Sequence, residues 1–252
     1  DTSPWIHIPI GYFRTIKDPK INWMYKTEKD PGLNGRSINW PRGKTLGGTS
    51  SINGLLYVRG QPQDYDDWAM LGNHGWSWRE ILPYFNKFEN WQGPTKRNRG
   101  KDGLLMINES SSKWPIVQAW VNSAQQAGYS FNSDYNSDDQ EGVGFFQQTT
   151  DKGLRCSAAK AFLTPVRSRR NLRILTKTLV EKITFEGRKA NGVKFLKSGK
   201  EGFITARKEI ILSAGSIGSP QILMISGIGK ADELKQHGIK VKLDLKGVNL
   251  FL

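Results

Sequence analysis

Cysteine is nearly absent from this chain. The one thiol, Cys156, rules out an internal disulfide and a zinc ribbon, and it fits a reducing compartment. Histidine is almost as scarce, with 3 in 252 residues. His7 lies among prolines, His74 in a Gly-Asn-His-Gly turn, and His237 beside a glycine. No cluster of His, Cys, Asp or Glu has metal-ligand spacing, so no metal site is expected. Long apolar runs are missing too. The longest, near Ile222 to Ile225, falls far short of the roughly 20 residues that cross a bilayer. The sequence opens at Asp1 without Met, and no secretory signal is legible in the text that follows. No G-x-S-x-G elbow and no Walker loop occurs. These absences exclude a disulfide scaffold, a zinc hydrolase, a helical membrane span and the commonest nucleotide hydrolases.

What is present is basic and globular. Lys plus Arg number 37 against 23 Asp plus Glu, a net charge of +14, while 9 Trp and 11 Phe in a 37% hydrophobic chain supply material for a core. One or two domains are expected. The charge is spread along the chain. Its densest clusters, Lys96 to Lys101 and Arg167 to Arg170, are short and fall where loops are expected. Solvated surface charge is the favoured account. A basic module for nucleic acid or an anionic surface is the alternative, and it would bind DNA with strong salt dependence. No aromatic-and-basic module pattern accompanies the charge, so no nucleic-acid partner is expected. A cytoplasmic location is expected, with peripheral membrane association left open.

Secondary structure reads as mixed α and β. Residues 1–40 are loop-rich, punctuated by Pro4, Pro9, Pro19 and Pro31. Asp64 to Leu71 is a short helix with Gly72 past its end. Ser77 and Glu80 form a capping box for a second helix with Ile81, Tyr84, Phe85 and Phe88 on one apolar face. Residues 92–113 form a surface loop holding a strand around Leu104 to Ile107. Pro115 to Ala127 is a third helix with Ile116, Trp120, Val121 and Ala124 on a face. Strands are expected at Asn171 to Thr176, Val180 to Phe185 and Ala190 to Leu196, with Gly187-Arg188 as a hairpin turn. Glu209 to Ser213 reads as a buried strand leading through Ala214-Gly215 into a helix over Ser219 to Ser226. A small helix at Ala231 to Gln236 and a strand at Val241 to Leu245 follow. Trp68, Trp76, Trp78 and Trp91 are expected to fill the core or pin loops.

The stretch from Asn39 to Trp68, N-W-P-R-G-K-T-L-G-G-T-S-S-I-N-G-L-L-Y-V-R-G-Q-P-Q-D-Y-D-D-W, packs Gly43, Gly47, Gly48, Thr49, Ser50, Ser51 and Gly54 together. Arg42 and Lys44 stand at its mouth. Backbone N–H groups in such a run can approach a ligand closely, hydroxyls add donors, and the cations favour an anion. A phosphate or a flavin ring edge would suit it. On composition alone an ordinary glycine-rich turn is equally open. A second run, G-S-I-G-S-P-Q-I-L-M-I-S-G-I-G, spans Gly215 to Gly229.

Both runs, in this order, resemble the two signatures of the glucose–methanol–choline (GMC) family of oxidoreductases. The Tyr-Val-Arg-Gly and Asp-Tyr-Asp-Asp-Trp text most resembles its choline dehydrogenase-like alcohol dehydrogenases. The resemblance implies an α/β (α+β mixed) fold: an FAD-binding domain with a substrate-side domain, both incomplete here. Residues 1–110 and 151–252 would be FAD-binding portions and 111–150 the start of the substrate side. It implies FAD as cofactor, with Lys44, Thr45, Gly47, Gly48 and Ser51 near the pyrophosphate or ring. Asn53, Gly54, Leu55 and Leu56 would lie near the isoalloxazine, and the backbone of Val180 near the adenine. Ala214 and Gly215 would approach the dinucleotide. Some members attach FAD through a His where this chain has Ile52, so noncovalent FAD is expected.

The resemblance also implies oxidation of a primary alcohol, choline-like or other, by hydride transfer to flavin, with a quinone or another non-oxygen acceptor favoured. A lyase of the same fold that holds FAD without redox use is the alternative. Relatives begin with a G-x-G-x-x-G turn and carry a catalytic His further on. Neither is found here, and the text from Lys246 to Leu252 departs from the family's. The expectation is a central fragment, inactive alone, with no catalytic base among His7, His74 and His237.

Overall fold

The computed structural model describes residues 2–94, 97–110, 113–137 and 139–248. Asp1, Lys96 and residues 249–252 of the sequence reading lie outside them. The chain divides into two compact units, residues 1–169 and 170–252.

In the first unit, two single-turn helices, α1 (Pro4–His7) and α2 (Tyr12–Thr15), precede a two-stranded antiparallel ribbon of β1 (Tyr25–Lys26) and β2 (Asn39–Trp40). A 3-10 turn over Gly48–Ser51 leads to β3 (Leu56–Tyr57). Helix α3 (Pro62–Met70) starts on a proline that needs no N–H partner, behind a capping box between Gln61 and Asp64. Helix α4 (Trp78–Phe88) starts at the expected Ser77/Glu80 box, whose Glu80 Oε2 accepts from Ser77 N–H at 3.2 Å. It runs straight into β4 (Glu89–Trp91). Next come β5 (Leu105–Glu109), α5 (Pro115–Gln126), β6 (Gln147–Gln148), β7 (Thr150–Asp151) and β8 (Leu154–Arg155). A four-stranded sheet in the order β3-β6-β5-β4 has β4 and β5 parallel and its other pairs antiparallel. Ile6, Ile52, Leu55, Trp91, Ile107 and Val121 form the apolar core of this unit.

That core also holds charge. Glu89 accepts from Arg59 Nη2, from Arg99 Nη2 at 2.7 Å and from Gly100 N–H at 2.9 Å, while Arg99 Nη1 also donates to Asp134. All four side chains are essentially inaccessible to solvent. Gln147 and Asn136 complete the network, Gln147 Nε2 donating to Asp134 at 2.7 Å. Two cations and two anions balance, which is what a desolvated cluster requires.

The second unit is built on a meander of β9 (Thr178–Glu186), β10 (Lys189–Lys197) and β11 (Lys200–Thr205). Gly187-Arg188 makes the first turn as expected. Ser198-Gly199 makes the second with φ of 52° and 76°, the mirror-image turn that suits strand twist. Helix α6 (Gly215–Ile225) packs on β9, pinned by Ser226. The Ser226 hydroxyl accepts from Ile183 N–H at 2.9 Å and donates to Ile222 O at 2.6 Å. Parallel β12 (Ile228–Gly229) and β13 (Leu243–Asp244) flank α7 (Ala231–Gln236), which buries Leu234 completely.

Several expectations need correction. Asn171 to Thr176 and Glu209 to Ser213 form no strand ladder among the described residues, and Ile211 is 79% exposed. Both have extended-chain chemistry, but a strand exists only where a neighbour supplies the other half of the ladder. The strand at Val241 to Leu245 shrinks to Leu243–Asp244 for the same reason. Helix α6 begins at Gly215, four residues before the expected start. On α5 only Val121 is buried, whereas Ile116 and Trp120 face outward. Trp91 fills the core as expected. Trp68 and Trp76 do not: with Tyr65, Tyr84, Phe85 and Phe88 they line an open apolar cleft.

Candidate functional site

The glycine run forms a tight knot between β2 and β3. A Cβ on Gly43 would sit 2.2 Å from the carbonyl oxygen of Gly48, so the start of the run touches its middle backbone to backbone. Gly47 has φ of +85°, and a Cβ there would lie 2.6 Å from Ser51 Oγ. These contacts, not open flexibility, require glycine here.

The three hydroxyls are turned inward. Thr49 Oγ1 accepts from Gly43 N–H at 3.2 Å, Ser50 Oγ donates to Gly47 O at 2.5 Å and accepts from Ala158 N–H, and Ser51 Oγ donates to Leu46 O at 2.8 Å. Ser51, expected beside a cofactor, is fully buried, and its hydroxyl shapes the loop. What the loop leaves free is backbone. The N–H groups of Thr45, Leu46, Gly47 and Gly54 have no hydrogen-bond partner among the described residues. The Cβ directions of Gly48 and Gly54 meet nothing within 4 Å. A set of unpaired donors on a backbone without side-chain cover is a fitting receptor for a phosphate or a polar ring edge.

Asn53 is half-buried. Its Oδ1 accepts from Leu55 N–H at 3.1 Å and from Arg155 Nη1 at 2.7 Å, while its Nδ2 keeps its donors. It is therefore an Asx-turn residue that still has donors for a partner. Leu55 is held at φ of +66°, a conformation rare for a non-glycine residue, and its carbonyl accepts from Thr149 N–H at 2.9 Å. Leu56 pairs with Gln148 in the sheet and is exposed. Lys44 is exposed, its ammonium 5.1 Å from the centre of the Trp23 ring, and Arg42 lies 4.9 Å over Trp40. The cations at the mouth are thus steadied on indole faces.

Val180, Ala214 and Gly215 belong to the second unit. Val180 pairs with Phe195 in the meander and is 38% exposed. Ala214 caps α6, its N–H donating to Ser219 Oγ at 3.0 Å, and the Cβ direction of Gly215 is open. The first turn of α6 carries no side-chain cap of its N-terminal donors beyond that bond. His7, His74 and His237 are all exposed. No group of three or more potential metal ligands occurs among the described residues. Burial raises the pKa of the Cys156 thiol, which makes it a core residue and not a nucleophile.

Sequence reasoning missed Arg155. It is buried behind the glycine knot and bonds to Ile6, Ser50 and Asn53. Nothing local announces this, because the oxygens it satisfies lie about 100 and 149 residues away in sequence.

The sequence pattern of GMC oxidoreductases matches residues 13–250. The chain belongs to the GMC oxidoreductase family, whose members are FAD-binding flavoproteins. It is 44% identical over 243 residues to the mitochondrial choline dehydrogenase of Homo sapiens, covering 96% of this chain and 41% of that one. It is 43% identical over 251 residues to an "alcohol dehydrogenase [acceptor]" of Pseudomonas putida, covering 98% and 46%. Pyridoxine 4-oxidase from Mesorbium loti superposes with a TM-score of 0.92 at 31% identity, over 98% of this chain and 48% of that structure. The chain therefore spans under half the length of these relatives. It is choline dehydrogenase-like, and its fold is that of the FAD-binding part of the family.

Proposed function

We propose that this chain holds noncovalent FAD on its glycine knot and contributes that cradle to a dehydrogenase of primary alcohols. The observation that carries the reading is the row of unpaired N–H groups at Thr45, Leu46, Gly47 and Gly54 beside the open faces of Gly48 and Gly54. When bound, FAD supplies the acceptor for a hydride from the alcohol carbon. The chain's own residues do the holding. Backbone donors meet the cofactor, Asn53 Nδ2 offers two N–H groups, and Lys44 adds positive charge at the mouth. The buried Ile52 side chain offers no nitrogen for a covalent link. In the second unit, Val180, Ala214 and Gly215 are proposed as adenosine-side contacts on the strength of the family resemblance. The base that takes the hydroxyl proton is assigned to no residue of this chain, because none of its three histidines sits in a context resembling the family's catalytic His segment.

A non-oxygen acceptor such as a quinone is proposed from the kinship to an acceptor-linked alcohol dehydrogenase, while the likeness to pyridoxine 4-oxidase and to oxygen-dependent choline dehydrogenases supports oxygen as the second reading. Peripheral contact with an anionic membrane is supported by a cleft in the second unit. It is rimmed by Lys182, Lys194, Lys240 and Lys242 over Ile183 and Phe185, and none of those lysines takes part in an ion pair among the described residues. No helix among the described residues is long and apolar enough to cross a membrane. The deciding experiment is equilibration with FAD, gel filtration and a visible absorption scan. Retained flavin absorbance is expected, released as unmodified FAD on denaturation. A colourless protein would overturn the cradle.

A further inference from the structure

Arg155 is 1% exposed, and its guanidinium is satisfied entirely by uncharged oxygens. Nε donates to Ile6 O at 2.8 Å, Nη1 to Ser50 O at 3.1 Å and to Asn53 Oδ1 at 2.7 Å, and Nη2 to Asn53 O at 2.7 Å. The contrast with the unit's other buried arginines is sharp. Arg59 and Arg99 share Glu89 and Asp134, whereas no described ion pair includes Arg155. Burial lowers its pKa to about 10, which leaves it protonated at neutral pH. A desolvated cation with no counter-ion is expensive to keep.

The second observation is strain. Leu55 sits at φ of +66°, and its N–H donates to the same Asn53 Oδ1 that Arg155 grips. Non-glycine residues in this region persist only where neighbours over-determine them. Here a relay runs from Arg155 through the Asn53 carboxamide to Leu55, and Gly54, with its open face and unpaired N–H, lies at its centre.

We propose that Arg155 is the positioning residue of the cradle and the counter-charge of the flavin ring. It fixes Asn53 and the left-handed turn at Leu55, and its unneutralised charge favours the reduced, anionic form of the ring at the Asn53–Leu56 edge. This rests on the FAD reading above. It adds a residue that neither the glycine signature nor the histidine chemistry of alcohol oxidation names.

The test measures the midpoint potential of FAD bound to the chain as it stands and to its Arg155→Gln and Arg155→Lys variants. Glutamine keeps hydrogen bonding and loses the charge, whereas lysine keeps the charge and loses the fork. Arg155→Gln is expected to lower the potential by about 30 mV or more, the equivalent of a tenfold loss of preference for the two-electron reduced form. Arg155→Lys is expected to restore most of it. Equal potentials in all three proteins, or equal losses in both variants, would overturn the counter-charge. Failure of the parent chain to retain FAD would overturn the flavin reading, and this inference with it. Should Arg155→Gln not fold, amide exchange in the parent and Arg155→Lys decides the positioning role. The Leu55 amide is expected to exchange at least tenfold faster in the lysine variant, and an unchanged rate would refute the relay.

Discussion

Glu89 is the residue on which the first unit's interior most depends, and its removal has a calculable cost. The side chain has 0% exposure and pairs with two arginines at once, Arg59 and Arg99, while also accepting from Gly100 N–H. Glu89→Ala leaves Arg59 in a dry interior with no carboxylate partner, while Arg99 keeps only Asp134. Removing one partner of a buried ion pair costs roughly 3–5 kcal/mol, and here Arg59 is orphaned while Arg99 loses one of its two carboxylates, so the upper end of that range is expected. For a unit of this size each kcal/mol lowers the melting temperature by about 2–4 °C, which places the loss at about 10–20 °C. Differential scanning calorimetry on the purified chain reads it directly. The electrostatic account makes a sharper demand on the double variant. Arg59→Met with Glu89→Ala removes the stranded cation, so the pair must cost less than the sum of the two singles, by about 1–3 kcal/mol. Simple additivity, or a Glu89→Ala loss under about 2 °C, would show that the four charges do not act as one unit and would refute the reasoning.

Tyr57 gives a pH prediction. Burial pushes its phenol up to about 12 from 10.0, partly opposed by Arg59. The folded state therefore holds this proton more tightly than the unfolded state does. Its contribution to stability is complete below pH 10 and lost as pH rises toward 12, and a Tyr57→Phe chain is expected to lose less stability over that window in urea titrations. Gly47→Ala places a methyl group 2.6 Å from Ser51 Oγ and 3.1 Å from Ala159 at φ of +85°. It is expected to cost at least about 1–2 kcal/mol, with a matching loss of flavin retention on gel filtration. Reversal of Lys182 and Lys242 to Glu is expected to abolish sedimentation with phosphatidylglycerol-containing vesicles, whereas the same charge change at Arg167 and Arg169 leaves it intact. Equal loss from both would reduce the effect to net charge.

The sequence was legible where structure is local. The Ser77/Glu80 box, the Gly187-Arg188 turn and the stop at Gly72 each need only a few neighbouring residues, and each stands where expected. It was misleading where a partner is required. Ile210 to Leu212 has the composition of a buried strand, but a ladder needs a second chain segment, and none pairs with it among the described residues. The same holds for the outward Ile116 and Trp120 of α5. Periodicity shows which side of a helix is apolar, not whether anything covers it. Arg155 was invisible for a related reason. A buried guanidinium is licensed by oxygens scattered from Ile6 to Asn53, and no motif spans that distance.

The knot admits two accounts of how it meets a ligand. Glycines and hydroxyls together suggest that hydroxyls meet the ligand. In the structure they hold the loop, and the donors left unpaired are amides. Ser51→Ala separates the two accounts. Ser51 Oγ is fully buried and donates to Leu46 O at 2.8 Å, so its loss strands a buried carbonyl. The expected cost is about 1–3 kcal/mol of stability, while the FAD affinity of the folded protein stays within about twofold, as read by flavin fluorescence titration below the melting range. A hydroxyl that served the cofactor directly would give the reverse: an unchanged melting temperature and an affinity down about tenfold, or about 1.4 kcal/mol. That result would return the hydroxyls to the binding surface and remove the amide row as the feature that recognises FAD.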